Sequence, residues 1–285
     1  MNSLPETKRH MQEKELVMKQ SLSTVMILAG LNLSWQLVLA QTAEQSFAWP
    51  DGKQIALSLT FDDARSSQVN GGTDLLDRHG VRATFYVIPE RVEQNLAGWK
   101  KAVASGHEIG NHSLRHPCTG NFDWSREKAL EDYDLDKMRS ELMQANKQIE
   151  RLLGVIPRSF AYPCGETYVG RGLGTTSYVP LIAELFSTGR TWLDETANDP
   201  GFCDLAHLRG LEMDGKDFDA IKTTLENAKG RGLWVVLAGH EMADEGRQTT
   251  RLQMLEQLLA YARDPANGVW LAPVGEVASY VTAHR

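Results

Sequence analysis

The residues best suited to chemistry are two adjacent carboxylates, Asp62 and Asp63, and a pair of histidines, His112 and His116. On a helical turn this His spacing would present two imidazoles to one ion, but Gly110, Asn111 and Pro117 point to a loop or single turn. With a carboxylate from another part of the chain the pair completes a two-His, one-carboxylate ligand set, and Asp63 is the candidate. Three protein ligands leave a position open for water, whose pKa the ion lowers while it polarises a substrate carbonyl. Asp62 can then take the water's proton, and His240 can protonate a leaving amine or alkoxide. Taken singly, an Asp-Asp turn and surface histidines are ordinary solvated features. Their ordered combination suffices for amide or ester hydrolysis.

These residues need elements that bring them together. Ile55, Leu57, Leu59 and Phe61 alternate with Ala56, Ser58 and Thr60, which reads as a strand ending at Asp62-Asp63. Adjacent strand residues point to opposite faces, so both acids serve one site only if the backbone turns there, and the alternation is indeed lost from Ala64 onward. Ala83 to Ile88 reads as a second strand after a helical stretch that closes on Gly80, making one βαβ unit. Further short strands are expected at Glu108-Ile109, Ser159 to Tyr162, Leu208 to Met213 and Leu233 to Ala238, with a long helix from about Arg126 to Leu153 packed along the wall. Gly170, Gly172 and Gly174 lack the helix and acidic follow-up of a nucleotide loop and read as an ordinary loop. His112 and His116, Cys164, Asp214 and His240 each fall just past the end of one of these strands. In a parallel β/α barrel such ends gather on one face, where active sites are built.

The chain has 285 residues, 42% hydrophobic and 24% charged, and is globular with one barrel-sized domain expected from residue 41 to 285. Its net charge of -7 is the wrong sign for capturing nucleic acid or an anionic membrane surface. From Gln20 to Ala43 there is no charged residue, Lys19 precedes the run, and Val38-Leu39-Ala40 reads as a signal-peptidase site. The expectation is a leader over residues 1–40, translation starting at Met18, cleavage after Ala40, no membrane span afterwards, and a secreted or periplasmic protein. A retained anchor is the alternative.

Four segments together resemble a known family: Thr60-Phe61-Asp62-Asp63, His112-Ser113-Leu114-Arg115-His116, Phe160-Ala161-Tyr162-Pro163-Cys164-Gly165 and Leu237-Ala238-Gly239-His240. They look like successive motifs of the polysaccharide deacetylases, carbohydrate esterase family 4, with its NodB homology domain. The resemblance implies an α/β fold, a distorted (β/α) barrel of about seven strands. It implies Asp62 as base, and Asp63, His112 and His116 as ligands of one divalent metal, zinc being expected and Co2+, Ni2+ or Fe2+ the alternatives. By the same resemblance His240 is the acid, Asp214 the carboxylate that tunes it, and Cys164 with Tyr162 forms the oxyanion and substrate contacts. The family's third motif often carries an Arg that orients the base. Ala161 stands at that position here, and Arg158 is the candidate substitute.

The implied reaction is removal of N-acetyl, less readily O-acetyl, groups from an acetylated glycan or oligosaccharide. A small amide or cyclic imide as substrate, or a non-catalytic carbohydrate-binding module, are the competing readings. Export allows disulfides. Of the three cysteines, Cys118 follows ligand His116 and Cys164 sits in the third motif, so a Cys118–Cys164 bridge is expected, with Cys203 free.

Overall fold

The computed structural model describes residues 47–285; the leader, the Met18 start and the cleavage after Ala40 lie outside the described residues. Eight strands form the main sheet: β1 (Ile55–Asp62), β2 (Thr84–Val87), β3 (Glu108–Asn111), β4 (Ser159–Ala161), β5 (Thr188–Arg190), β6 (Leu211–Glu212), β7 (Trp234–Gly239) and β8 (Val269–Leu271). Their order is β5-β4-β3-β2-β1-β7-β6, all parallel. β8 joins β1 over Ile55–Leu57, on the edge that β2 takes up at Thr60–Asp62. Around them pack α1 (Thr73–Arg78), α2 (Leu96–Ala104), α3 (Leu135–Leu153), α4 (Phe218–Lys229), α5 (Leu252–Arg263) and α6 (Val274–His284).

The barrel is distorted because its two edge strands never form a full ladder. A single parallel bridge joins Arg190 to Leu208, supported by Leu208 N–H on the Gly189 carbonyl (2.7 Å) and Thr191 N–H on the Leu208 carbonyl (2.9 Å). The expected strand from Leu208 to Met213 is therefore this bridge followed by the short β6.

β1 is buried along its whole length, and its alternation separates two buried faces. Ile55, Leu57, Leu59 and Phe61 pack outward with Leu76 of α1, Trp99 of α2, Leu225 of α4 and Leu255 of α5. The small polar residues face inward and are paired: Ser58 donates to the Ala272 carbonyl (2.8 Å) and Thr60 to the Leu237 carbonyl (2.8 Å). Each bond offsets the cost of burying a hydroxyl.

α3 begins later than its stripe suggests. Ala129 and Tyr133 have extended backbone, two 3-10 turns fill Asp123–Lys128 and Leu130–Asp132, and Asp134 caps the helix by accepting the Lys137 N–H (2.7 Å). Met138, Leu142, Ala145 and Ile149 are buried as the stripe requires, against the barrel wall, while Leu135 is exposed. Gly172–Gly174 is a turn between two short antiparallel strands. No described helix is long and apolar enough to cross a membrane.

Candidate active site

β1 ends at Asp62, and the next two residues have left-handed backbone, Asp63 at φ +76° and Ala64 at φ +53°. Such conformations are costly for non-glycine residues and persist where the surroundings over-determine them. Their effect is that consecutive acids take different partners at one mouth. Asp62 forms a buried ion pair with Arg190, while Asp63 faces His112 Nε2 (3.6 Å) and His116 Nε2 (3.5 Å).

The five residues from His112 to His116 form a tight irregular turn. Asn111, the last residue of β3, accepts the Ser113 N–H through Oδ1 (2.6 Å), and Ser113 Oγ accepts the His116 N–H (2.9 Å). Ser113 and His116 both have positive φ. His112 Nδ1 donates to the Ala161 carbonyl (2.8 Å). A carbonyl can only accept, so the proton is on Nδ1 and the Nε2 lone pair faces Asp63.

Asp63, His112 and His116 offer ligand atoms that all lie within 4.8 Å of one another. Asp63 Oδ2 is held by Arg65 (2.7 Å), whereas Oδ1 is buried without a hydrogen-bond partner among the described residues. A buried anionic oxygen between two imidazole nitrogens is a donor set suited to a divalent cation. Burial, reinforced by the mutual repulsion of the pair, pushes His116 down to about 3, and burial also lowers His112. Both imidazoles are neutral at neutral pH, as ligation requires. Burial pushes the Asp63 carboxyl up, but the His pair, Arg65 and Arg91 outweigh it and hold the group well below the usual carboxylate range.

The arginine expected beside Asp62 is where sequence reasoning missed. Arg158 is exposed, before β4, and its carbonyl accepts the Ser187 N–H (2.7 Å). The pair to Asp62 comes from Arg190 at the end of β5, which is the register partner of Ala161 across the β4–β5 ladder. The small side chain at 161 thus stands beside the arginine on the next strand, and parallel partners in register face the same side. Arg190 lies over the Tyr86 ring (5.0 Å) and donates to the Thr191 carbonyl (3.0 Å). Gly210 makes room for it, since a Cβ there would strike the Thr191 carbonyl and come within 2.6 Å of Arg190 Cδ. Burial raises Asp62, but Arg190, with His112 and His240, outweighs it and the net shift is downward.

Across the mouth, His240 Nδ1 bonds Asp214 Oδ2 (2.7 Å), and Asp214 Oδ1 accepts from Thr250 Oγ1 (2.7 Å) and from the His240 N–H (3.2 Å). A Cβ on Gly239 would strike Thr250 Oγ1 and come within 2.9 Å of Asp214 Oδ1, so glycine is needed before His240. Burial disfavours the imidazolium, yet the Asp214 bond and the charge of Asp62 prevail and raise His240. Two more residues were not anticipated. Gln68 Nε2 donates to the carbonyls of Asp62 (2.7 Å) and His240 (2.8 Å), tying the ends of β1 and β7 together, and the Trp192 ring meets His240 edge-on (5.0 Å).

Tyr162 is a correction. Its N–H goes to the Arg190 carbonyl (2.9 Å) and its hydroxyl to the Ala206 carbonyl (2.6 Å), and the ring packs with Phe160 and Tyr178, so neither donor is free for substrate. Cys164 has positive φ and is bonded to Cys118, with Cα atoms 6.0 Å apart; Cys203 is a free thiol.

The fold is a NodB-like distorted (β/α) barrel. Residues 50–171 match the family model for polysaccharide deacetylase, which supports a relationship to that family. The matched segment contains Asp62, Asp63, His112, His116 and Cys164, whereas Arg190, Asp214 and His240 lie beyond it. The peptidoglycan-N-acetylglucosamine deacetylase PgdA of Listeria monocytogenes is 33% identical over 110 residues, covering 38% of this chain and 21% of that protein. A peptidoglycan-N-acetylglucosamine deacetylase of Bacillus cereus is 30% identical over 122 residues, 42% of this chain and 40% of that one. The matches therefore span less than half the length of these relatives. The fold matches a Mycobacterium smegmatis structure assigned to the polysaccharide deacetylases (TM-score 0.60, 19% identity, 85% of this chain and 95% of that one). It also matches a family 4 acetyl xylan esterase of Clostridium thermocellum (TM-score 0.50, 21% identity, 81% and 96%).

Proposed function

We propose that the protein is a metal-dependent hydrolase that removes N-acetyl groups from an extracytoplasmic polysaccharide. The observation that carries this reading is the division of labour between neighbouring acids: Asp63 faces two neutral imidazoles with a bare oxygen, while Asp62 is kept ionised by Arg190. A divalent cation held by Asp63, His112 and His116, zinc in our reading, supplies Lewis acidity toward water and the acetyl carbonyl. Asp62 accepts the proton of the attacking water. The backbone N–H of Cys164 donates to the developing oxyanion. His240, whose imidazolium the Asp214 carboxylate favours, gives a proton to the leaving nitrogen as the C–N bond breaks, so the products are acetate and a glycan amine. The relatives that act on peptidoglycan N-acetylglucosamine favour N- over O-deacetylation. Export is supported by the charge-free N-terminal run and by the Cys118–Cys164 bond, which persists in an oxidising compartment. Acetate release from a panel of acetylated glycans, with and without a chelator, tests the reading. Chelator-sensitive release is expected; turnover of small amides or imides with no release from any glycan would contradict it.

A further inference from the structure

The segment after His116 carries a feature that the proposed chemistry leaves unused. Trp124 and Phe122 stand 55% and 47% exposed and stack on each other (5.5 Å between centroids, 22° between planes). The Trp124 ring lies 5.8 Å from that of His116, and Lys128 Nζ lies 5.3 Å from the Trp124 centroid. The aromatic row therefore starts at a metal-site imidazole and runs outward into solvent.

This segment is held in place. Cys118 is bonded to Cys164, and the buried Ser125 hydroxyl both accepts the Cys118 N–H (3.0 Å) and donates to its carbonyl (2.9 Å). Leu130 N–H reaches the same carbonyl (3.0 Å), and Glu131 accepts from the Thr119 hydroxyl (2.6 Å) and the Gly120 N–H (2.9 Å). Ser125 immediately follows Trp124, so the platform is anchored at its root. Large aromatics left in water on an anchored backbone lose little conformational entropy on binding.

We propose that Trp124, flanked by Phe122, is a glycan subsite that takes the apolar C–H face of an uncharged N-acetylhexosamine next to the sugar being deacetylated. The inference rests on the deacetylase reading and deepens it: the substrate spans at least two sugars, and a monosaccharide or small imide cannot use the platform. The edge of a pyranose ring carries hydroxyls while its face is largely C–H, which an aromatic surface covers without stranding a polar group.

The test is titration calorimetry of N-acetylglucosamine and its β-1,4-linked pentamer against the zinc-loaded full chain. Asp62→Asn blocks turnover, and proteins with and without Trp124→Ala are compared in that background. Loss of one stacking contact is expected to weaken pentamer binding about tenfold. Monomer affinity and zinc content stay unchanged, and Trp124→Tyr retains most of the pentamer affinity. Pentamer binding within twofold of the parent, equal loss for monomer and pentamer, or no pentamer binding with Trp124 in place would overturn the subsite. Acetate release by the Asp62-containing protein separates the two readings. Trp124-dependent binding without release sinks the deacetylase and leaves the subsite; release with equal kcat/KM for both ligands, unaffected by Trp124→Ala, does the reverse.

Discussion

Replacing Arg190 by methionine should destabilise the fold and shift the titration of Asp62. The guanidinium is 0% exposed and its partner Asp62 3% exposed, so the variant leaves a carboxylate buried without a counter-charge. Breaking a buried pair from one side costs about 3–5 kcal/mol. In a domain of this size that lowers the thermal midpoint by roughly 6–20 °C. The pH dependence carries the sharper test. In the native protein the Asp62 carboxyl lies below its ordinary value, because Arg190 with His112 and His240 outweighs burial. Its stabilising contribution is therefore fully present above about pH 4 and is lost as pH falls through the lowered pKa. Without Arg190 the largest lowering influence is gone, and the carboxyl is expected to rise under the effect of burial. The variant is then penalised most at neutral pH, and the penalty shrinks as acid protonates Asp62. Urea unfolding from pH 4 to 8 should show the gap between the two proteins narrowing toward the acid end, and the acid limb of kcat/KM should move upward. Asp62→Asn with Arg190→Met should recover most of the lost stability, since no charge is left buried. A loss below about 1 kcal/mol, where breaking a buried pair costs several times that, or a gap independent of pH, would refute the reasoning.

Three further outcomes are expected. Asp214→Asn removes the strongest influence raising His240, so the alkaline limb of the pH–rate profile should move to lower pH; an unmoved limb would mean that His240 is not the acid. His240→Ala should keep its metal and lose about 100-fold or more in kcat, and an unchanged rate would place the acid elsewhere. Cys118→Ser with Cys164→Ser opens a loop whose ends are 46 residues apart and should cost about 4 kcal/mol in urea unfolding, whereas equal stability would show the bond contributes nothing to the fold.

How far the sequence could be read depends on how each residue reaches the site. Asp62 and Asp63 were legible because β1 has a long period-two pattern whose loss at Ala64 marks the turn. His112 and His116 lie on one short turn, so their proximity is local. Arg190 was not legible: β5 is three residues of Thr-Gly-Arg with no apolar alternation, and only the register of β4 with β5 places it beside Ala161. β8 is equally short and pairs laterally with β1, off the path of seven parallel strands that the expectation of about seven describes. The apolar stripe of α3 was read correctly but its start was not, since extended backbone at Ala129 and Tyr133 and the Asp134 cap set the boundary. Tyr162 lies inside a site motif, yet both its donors are spent on the neighbouring chain, a pairing that depends on tertiary position.

The central claim is that two adjacent acids do different work, and metal content measured beside activity tests it most directly. Asp62→Asn and Asp63→Asn would each be purified with zinc, assayed for bound metal by elemental analysis, and assayed for acetate release. Asp62→Asn should retain its metal and release no acetate, because Asp62 is paired with Arg190 and stands apart from the ligand cluster. Asp63→Asn should lose both, because it withdraws the only carboxylate from that cluster. Loss of metal from Asp62→Asn with full occupancy in Asp63→Asn would contradict the account.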